Sequence, residues 1–449
     1  MTKLNTNILQ LAIPSIISNI TVPLLGLIDI AIIGHIGNES YIGAISIGTM
    51  IFNIIYWILC FLRMGTSGLT SQAYGENDWK KAISILFRAL TIGIVMGGIF
   101  IIMQDLLQIV MLNAMNTPKT SWNLVTSYVK ITIWGAPAML GLYALMGWFI
   151  GMQNTKIPMI IAIVQNIINI IASLFFVYVI KWDINGVASG TLIAQWCGFI
   201  IAITTLLLGI KKSYFFNTNN IELISLKIFV VAIKQKKEWN RFFSINRDIF
   251  LRTLCFIAVN MFFTSAGGKQ GSMILAVNTL LMTMFTLFSY FMDGFAYAGE
   301  AISGKFYGEK NFKMINVLTK RLLLFGILMI LIFTSIYIIG GDNLLRLLTN
   351  NIQIVEAAKP YIVWAYFIPI IGMAAFIYDG IFIGITETKG MLFSSFIAMT
   401  CFFLFYITTN QMLKNNSLWI AFLIFLFMRG VCQAVWLKRK NFRQISKNI

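Results

Sequence analysis

Long apolar stretches separated by short polar connections follow one another along almost the whole chain. A helix needs roughly 20 apolar residues to cross the hydrocarbon layer of a bilayer. Stretches of this length occur at 8–34, 41–63, 86–112, 123–147, 157–181, 186–210, 249–268, 272–298, 318–340, 358–384, 390–411 and 417–437. The pattern predicts an all-α integral membrane protein with about twelve transmembrane helices.

Composition supports the same class. Of the 449 residues, 58% are hydrophobic and 11% are charged, whereas a soluble domain carries about 25% charged residues. The five cysteines are widely spaced, and His35 is the only histidine. The sequence has no P-loop, no G-x-S-x-G and no H-E-x-x-H motif. We therefore expect neither an enzyme nor a metal site, no organic cofactor, and no energy supply from ATP.

The formal net charge of +18 is distributed unevenly along the chain. If the N-terminus lies inside, most of the lysines and arginines fall in the inner loops, in the C-terminal tail and in a basic linker near the middle of the chain. The outer loops hold only Lys119, Lys181, Lys269, Arg346, Lys359 and Lys414. This asymmetry is the positive-inside pattern of a cell (inner) membrane protein with both termini in the cytoplasm. It explains the charge without nucleic acid, and it favours contact with anionic membrane lipids.

An internal repeat relates the two halves of the chain at a constant offset of 233 residues. Tyr-Gly-Glu at 74–76 recurs at 307–309, and Phe-Ile-Gly at 149–151 recurs at 382–384. Shared residues in the loops are a stronger signal than apolar similarity between helices. We predict an N-terminal six-helix lobe at 1–212, a basic cytoplasmic linker at 213–246 and a C-terminal six-helix lobe at 247–449.

Six helices is an even number, so both lobes keep the same orientation and are expected to be related by a pseudo-two-fold axis along the membrane normal. Two like lobes that face each other enclose a central cleft, and rocking opens this cleft to alternate sides. This architecture is typical of a secondary transporter. A cleft lined by methionine and phenylalanine, which number 23 and 37 in the chain, would suit small amphipathic or cationic substrates.

Ionisable residues within the spans are candidate functional residues because charge in hydrocarbon is costly. Asp29 lies well inside the first span, with no basic residue within a turn. Hydrocarbon favours the neutral form of a carboxyl group, so such a residue can hold a proton in one conformation and release it in another. The alternative interpretation is a structural carboxylate that is hydrogen-bonded to a neighbouring helix.

Other charged residues lie toward the inner helix ends. Asp293 and Glu300 are seven residues apart on one helix face, with Arg252 as a plausible partner, and a structural ion-pair cluster is the favoured interpretation. Asp379 could be structural or functional. Arg63 is expected to end the second helix and either to reach toward the interface or to form an ion pair.

Helix five carries the amides Asn166 and Asn169 on one face, and Thr191 lies on helix six. Such amides either bond between helices or line a pathway for a cation or proton.

The residues of several segments together resemble the multidrug and toxic compound extrusion (MATE) family, in particular its DNA-damage-inducible protein F (DinF) branch. The segments are VPLLGLID at 22–29, GH at 34–35, LRMGTSGLT at 62–70, GVASGT at 186–191, RTLC at 252–255 and MDGFAYA at 292–298. The resemblance spans nearly the whole chain, except residues 213–240.

This resemblance implies a two-lobed antiporter that exports organic cations in exchange for protons or sodium. Asp29 matches the acidic residue of the family's cation-coupling site, and Asn169 and Thr191 match residues that accompany it in related branches. The family often has an acid four residues after this asparagine, where the present chain has Ser173. A single carboxylate suits a proton better than a sodium ion, so we expect proton coupling, with sodium as the alternative, in a monomer.

Two other functions remain as alternatives. A flippase for a lipid-linked precursor would need several cations in the cleft to hold a pyrophosphate, and the sequence offers only Arg63 and Arg252 near a helix interior. A membrane enzyme or a scaffold without transport activity would leave the duplication unexplained.

Overall fold

The chain is almost entirely helical. The computed structural model describes residues 2–34, 39–114, 117, 119–211, 230, 232, 234–349 and 351–445, and no β-strand occurs among them. The helices are α1 (Thr2–Gly34), α2 (Glu39–Leu59), α3 (Phe61–Gly75), α4 (Trp79–Ile102), α5 (Gln104–Ala114), α6 (Trp122–Thr132), α7 (Ala136–Gly151), α8 (Lys156–Leu174), α9 (Asp183–Lys211), α10 (Lys236–Lys269), α11 (Ser272–Gly308), α12 (Phe312–Leu348), α13 (Ile352–Ala358), α14 (Ile362–Gly384), α15 (Thr388–Leu413) and α16 (Asn415–Ile445).

Each predicted span coincides with a helix or with two successive helices. In the described part of the chain, eleven helical segments are long and apolar enough to cross a membrane. Helix α1, with 33 residues, is long enough to be the twelfth. The predicted fold class, an all-α membrane protein with about twelve spans, is confirmed.

Several helices extend beyond the predicted spans. Helix α10 begins at Lys236 instead of residue 249, and α11 continues to Gly308 instead of residue 298. The thickness of the hydrocarbon layer limits only the apolar part of a helix. A pattern of apolar residues therefore does not detect the polar ends by which a helix extends beyond the layer. Much of the predicted linker, residues 213–229, 231 and 233, lies outside the described residues. The part from residue 236 onward is helical.

Contacts between Cα atoms divide the chain into two compact units. The N-terminal unit is Ile17–Phe243, and the C-terminal unit combines Met1–Ile16 with Ser244–Ile449. The first half of α1 therefore belongs to the C-terminal unit, where Ala12 and Ile16 lie against Gly294 of α11. The lobe and linker boundaries at 212 and 246 stay a prediction.

The same turn follows α3 in the N-terminal unit and α11 in the C-terminal unit. Glu76 and Glu309 end these two helices. The next residues, Asn77 and Lys310, both have a φ of 56°. The amides of these two residues donate to the carbonyl oxygens of Tyr74 and Tyr307, at 3.1 and 3.0 Å. Each of these pairs is separated by 233 residues, so the predicted repeat extends to backbone conformation.

A second pair of equivalent contacts packs the helices of each unit together. In the N-terminal unit, a Cβ added at Gly147 would collide with the carbonyl oxygen of Arg63. In the C-terminal unit, a Cβ added at Gly380 would collide with the carbonyl oxygen of Ala296. Both pairs follow the 233-residue offset. Glycine allows two helix backbones to approach closely, as is common within membranes.

We predict that Gly147→Ala and Gly380→Ala each destabilise the protein, by about 1–3 kcal/mol, because a backbone carbonyl cannot yield to the added methyl group. The measurement is the apparent melting temperature of the purified protein in detergent.

Gly98→Ala provides the matched control, because Gly98 is also helical and has no neighbouring atom within 4 Å of an added Cβ. Alanine is the better helix former by about 0.5–1 kcal/mol, so this variant is expected to be neutral or slightly more stable. Equal melting temperatures for all three variants would contradict the close helix packing.

Candidate functional site

Asp29 is a buried carboxyl group in helix α1. The residue is 4% exposed. Among the residues that the structure describes, no hydrogen-bond donor reaches its Oδ1 atom. An unpartnered polar atom at a buried position is costly, and in native structures such atoms call for an explanation. Asp29 therefore has the burial expected of a carboxyl group that carries its own proton.

Tyr128 of helix α6 connects Asp29 with polar residues of two other helices, α2 and α9. Its hydroxyl group lies within electrostatic range of Asp29 and in the neighbourhood of Thr191 in α9 and of Thr132 in α6 itself. The hydroxyl groups of Tyr128 and Thr49 of α2 are 3.4 Å apart. Tyr128 was not among the site residues predicted from the sequence, although Tyr128 and Tyr361 are related by the repeat offset.

Asn169 and Thr191, which the resemblance places in one site, are hydrogen-bonded to each other. The Asn169 Nδ2 atom donates to Thr191 Oγ1 at 3.1 Å, which joins α8 to α9. The Ser173 hydroxyl group donates to Asn169 Oδ1 at a longer 3.5 Å. Ser173 is fully buried and packs against Gly190. The position where the family often has an acid therefore lies inside this polar network.

Asn166 has a different partner. Its Nδ2 atom donates to the main-chain oxygen of Thr21 in α1, at 3.0 Å. The Tyr178 hydroxyl group donates to the main-chain oxygen of Ile32, also in α1, at 3.1 Å. The two bonds attach α1 to α8 and to the π-helical turn that follows α8 (Phe175–Val179), on both sides of Asp29. Asn166 and Asn169 share a helix, but they join that helix to two different neighbours.

The C-terminal unit contains a second buried polar cluster, which is centred on Asp379 of α14. This carboxylate forms ion pairs with Arg252 of α10 and with Arg429 of α16. Gln433 of α16 donates its Nε2 hydrogen to Asp379 Oδ1 at 2.5 Å. The cluster ties three helices together. Arg252 was expected beside Asp293 and Glu300, but it forms its ion pair with Asp379.

Arg429 is 2% exposed, and its guanidinium carbon lies 5.2 Å from the ring centre of Phe256 and 5.4 Å from that of Phe425. Aromatic faces attract a cation within about 6 Å. Asp293 of α11 also acts electrostatically on Arg429. Arg429 and Gln433 were not among the residues predicted from the sequence, although an arginine inside the span 417–437 is a signal of a functional or structural site.

Glu300 and Arg63 are both buried, at 1% and 6% exposure. Arg63 was expected to end the second helix at the inner side. Instead it lies in the first turn of α3, which continues to Gly75. The helical path continues from α2 through Cys60 into α3, so Arg63 lies within a longer helical segment and is enclosed by protein.

The structure brings no set of three histidine, cysteine, aspartate or glutamate residues together as metal ligands within its described part. All five cysteines are free thiols.

Comparisons with known proteins agree with this fold. A family model described as MatE matches residues 14–175 and again residues 249–407, so the two halves match the same family. DNA damage-inducible protein F of Escherichia coli is 32% identical over 439 residues, which covers 97% of this chain and 92% of that protein. The probable multidrug resistance protein NorM of Shewanella oneidensis is 26% identical over 171 residues, 38% of this chain and 37% of that protein.

A crystal structure of a MATE protein in a bent conformation superposes with a TM-score of 0.85. The superposition covers 99% of this chain and 97% of the other, at 17% sequence identity. The fold, the repeat and the two family matches lead to one conclusion: the chain belongs to the MatE family, and it is a multi-pass membrane transporter and not an enzyme.

Proposed function

We propose that this transporter is an antiporter that exports organic cations or other amphipathic compounds in exchange for protons, by alternating access. The observation that carries the proposal is the burial of Asp29 without a described donor at Oδ1. The 32% identity with DNA damage-inducible protein F and the partial match to a probable multidrug resistance protein support the export of compounds.

The physical basis of coupling is the cost of a charge in a low-dielectric site. Protonated Asp29 is neutral and can remain buried, whereas ionised Asp29 requires water or a partner. Protonation from outside therefore biases α1 toward one conformation and weakens substrate binding, and release of the proton inward resets the cycle. A membrane potential supplies roughly 2.3 kcal/mol per 100 mV for each proton, which is enough for efflux against a gradient.

The coupling ion is proposed to be the proton because the site offers few charged oxygens. Hard metal cations prefer several oxygen ligands. Around Asn169 the described oxygens belong to neutral groups, namely Thr191 and Ser173. A sodium ion would have Asp29 as its one carboxylate among these residues.

The proposed setting is the cell (inner) membrane, with both termini in the cytoplasm, following the distribution of lysine and arginine. The transporter is proposed to act as a monomer.

The alternative function, a flippase for a lipid-linked precursor, gains an argument from the buried arginine Arg429. A pyrophosphate needs uncompensated cations, however. Here Arg252 and Arg429 share the carboxylate of Asp379, and Asp293 also acts on Arg429. Two positive and two negative groups balance, so we propose that this cluster fixes α10, α14 and α16 and does not bind an anionic substrate.

We predict that Asp29→Asn abolishes transport driven by a pH gradient, because the amide cannot exchange a proton. Ethidium efflux is measured in proteoliposomes, with a pH gradient and a sodium gradient imposed separately. The control is Asp105→Asn, since Asp105 is exposed and paired only loosely with Lys130 at 3.6 Å; this variant should transport normally.

Flux through Asp29→Asn at the wild-type rate would remove Asp29 from the mechanism. Flux of the wild type driven by sodium alone would overturn proton coupling. Movement of a labelled lipid instead of ethidium would favour the flippase.

We predict that Ser173→Asp makes ethidium efflux responsive to a sodium gradient, because a second carboxylate joins the network of Asn169 and Thr191. Ser173→Asn has nearly the same size and no charge, so it controls for crowding against Gly190. The interpretation of Ser173 is wrong if the aspartate and asparagine variants respond equally to sodium.

We predict that Asp379→Asn lowers stability by about 3–5 kcal/mol, because two buried guanidinium groups lose their carboxylate. The double variant Asp379→Asn/Arg429→Gln should recover part of this loss, since it also removes one of the buried charges. Thermal unfolding and ethidium flux are measured for each variant. Loss of flux with unchanged stability would show a transport role and contradict the structural one.

A further inference from the structure

An open groove lies between α10 and α15 within the C-terminal unit. Its volume is about 740 Å³. The apolar side chains that line it are Leu251, Leu254, Ala258, Leu392, Phe393, Phe396 and Met399. The groove is distinct from the Asp29 network and from the Asp379 cluster, because it shares no residue with either.

The two helices meet at both ends of the groove and separate between them. At one end, the Thr388 hydroxyl group donates to Asp248 Oδ2 at 3.0 Å. At the other end, the ring of Phe262 packs against Phe402 and Phe403, with centroids 5.9 and 5.0 Å apart. The groove is therefore a slot that is closed at both ends and open along its side. The α10 wall of the slot, from Asp248 to Ala258, corresponds to about 15 Å of helix.

The walls of the slot are apolar and exposed. Phe393 and Phe396 are 54% and 56% exposed, and Leu251 and Leu254 are each 38% exposed. Both helices are membrane-spanning segments. The medium that meets such a surface in a bilayer consists of lipid chains, and a slot of this length and volume fits one of them.

The end of the slot beside Thr388 carries positive charge. The side chain of Arg247 is 63% exposed, while Asp248, which accepts from it at 2.9 Å, is 2% exposed. Lys389 is also exposed and lines the same end. With one carboxylate and two cations, this end has a net charge of +1, and the two cations are its exposed members.

Trp436 of α16 borders the slot, with its ring 5.8 Å from that of Phe393. Two further basic residues, Lys438 and Arg439, follow it in the chain and are exposed. The basic end of the slot is the end that the positive-inside pattern assigns to the cytoplasmic leaflet, where anionic lipids attract lysine and arginine.

We propose that this slot binds one anionic phospholipid, with its phosphate at Arg247 and Lys389 and an acyl chain between α10 and α15. A cationic substrate is disfavoured because the two exposed side chains at the polar end would repel it. A zwitterionic headgroup is bound less well, since its own cation offsets the attraction of its phosphate.

Native mass spectrometry of the full-length protein in detergent tests the proposal. Phosphatidylglycerol and phosphatidylcholine with the same acyl chains are added in parallel. The wild type should retain phosphatidylglycerol preferentially, and Arg247→Gln/Lys389→Gln should bind it at least fivefold more weakly. The basis of this lower bound is that each cation near a membrane surface contributes about fivefold, so the loss of either one alone would reach it.

The matched control is Lys80→Gln/Lys313→Gln, which removes two exposed lysines that do not line the slot and that the positive-inside pattern assigns to the cytoplasmic side; it should bind like the wild type. Arg247→Lys/Lys389→Arg keeps both charges and should also retain the lipid, which separates loss of charge from loss of folding. Ala258→Trp fills the slot and should release both lipids.

Three results would overturn the proposal. The first is equal binding of phosphatidylglycerol by the glutamine variant and the control. The second is retention of the lipid by Ala258→Trp. The third is displacement of the lipid by ethidium or by inorganic phosphate, which would identify a substrate site or a simple anion site instead.

Discussion

Inside a hydrocarbon layer, polar groups have no water to bond with, and this constraint shapes most features of the molecule. Backbone groups are satisfied within helices, which accounts for a chain without described strands. Some buried side chains follow the same rule by bonding to one another. Asn278 and Asn415 exchange hydrogen bonds at 2.8 and 2.9 Å, and Trp419 donates to Asn278 Oδ1 at 2.9 Å. Asp29 departs from the rule, and this departure is the main reason to assign it a function.

The two halves share the same helical framework, but they do not share the same charged residues. The turns after α3 and α11 coincide in backbone conformation, and the glycine contacts of α7 and α14 coincide as well. The charged residues do not. The position equivalent to Asp29 is Phe262, and the position equivalent to Asp379 is Met146. Duplication supplied two copies of a helical frame, and each copy acquired its own polar residues.

Much of the fold follows from sequence because the cost of polar groups in lipid dictates the length of each span, and because turn residues reveal the repeat. The ion pairs do not follow in the same way. Asp379 pairs with Arg252, which is 127 residues away in the chain, and with Arg429, which is 50 residues away. No local spacing in the sequence predicts such pairs. Likewise, no local signal marks the continuation of the helical segment beyond Arg63 to Gly75, so the burial of Arg63 was not foreseen.

The repeat also accounts for the position of the lipid slot. In the N-terminal unit, Asn166 of α8 bonds the backbone of α1 at Thr21. The equivalent residues in the C-terminal unit, 233 positions later, are Met399 and Leu254. Both of these line the slot.

A polar contact that joins two helices in one unit is thus replaced by an apolar pair that leaves a gap in the other. A methionine and a leucine cannot form the helix-to-helix hydrogen bond, and exposed apolar walls inside a membrane call for an apolar occupant. The cations at the end of the gap then select a lipid with an anionic headgroup. The same divergence that left Asp29 in only one unit left a lipid-sized opening in the other.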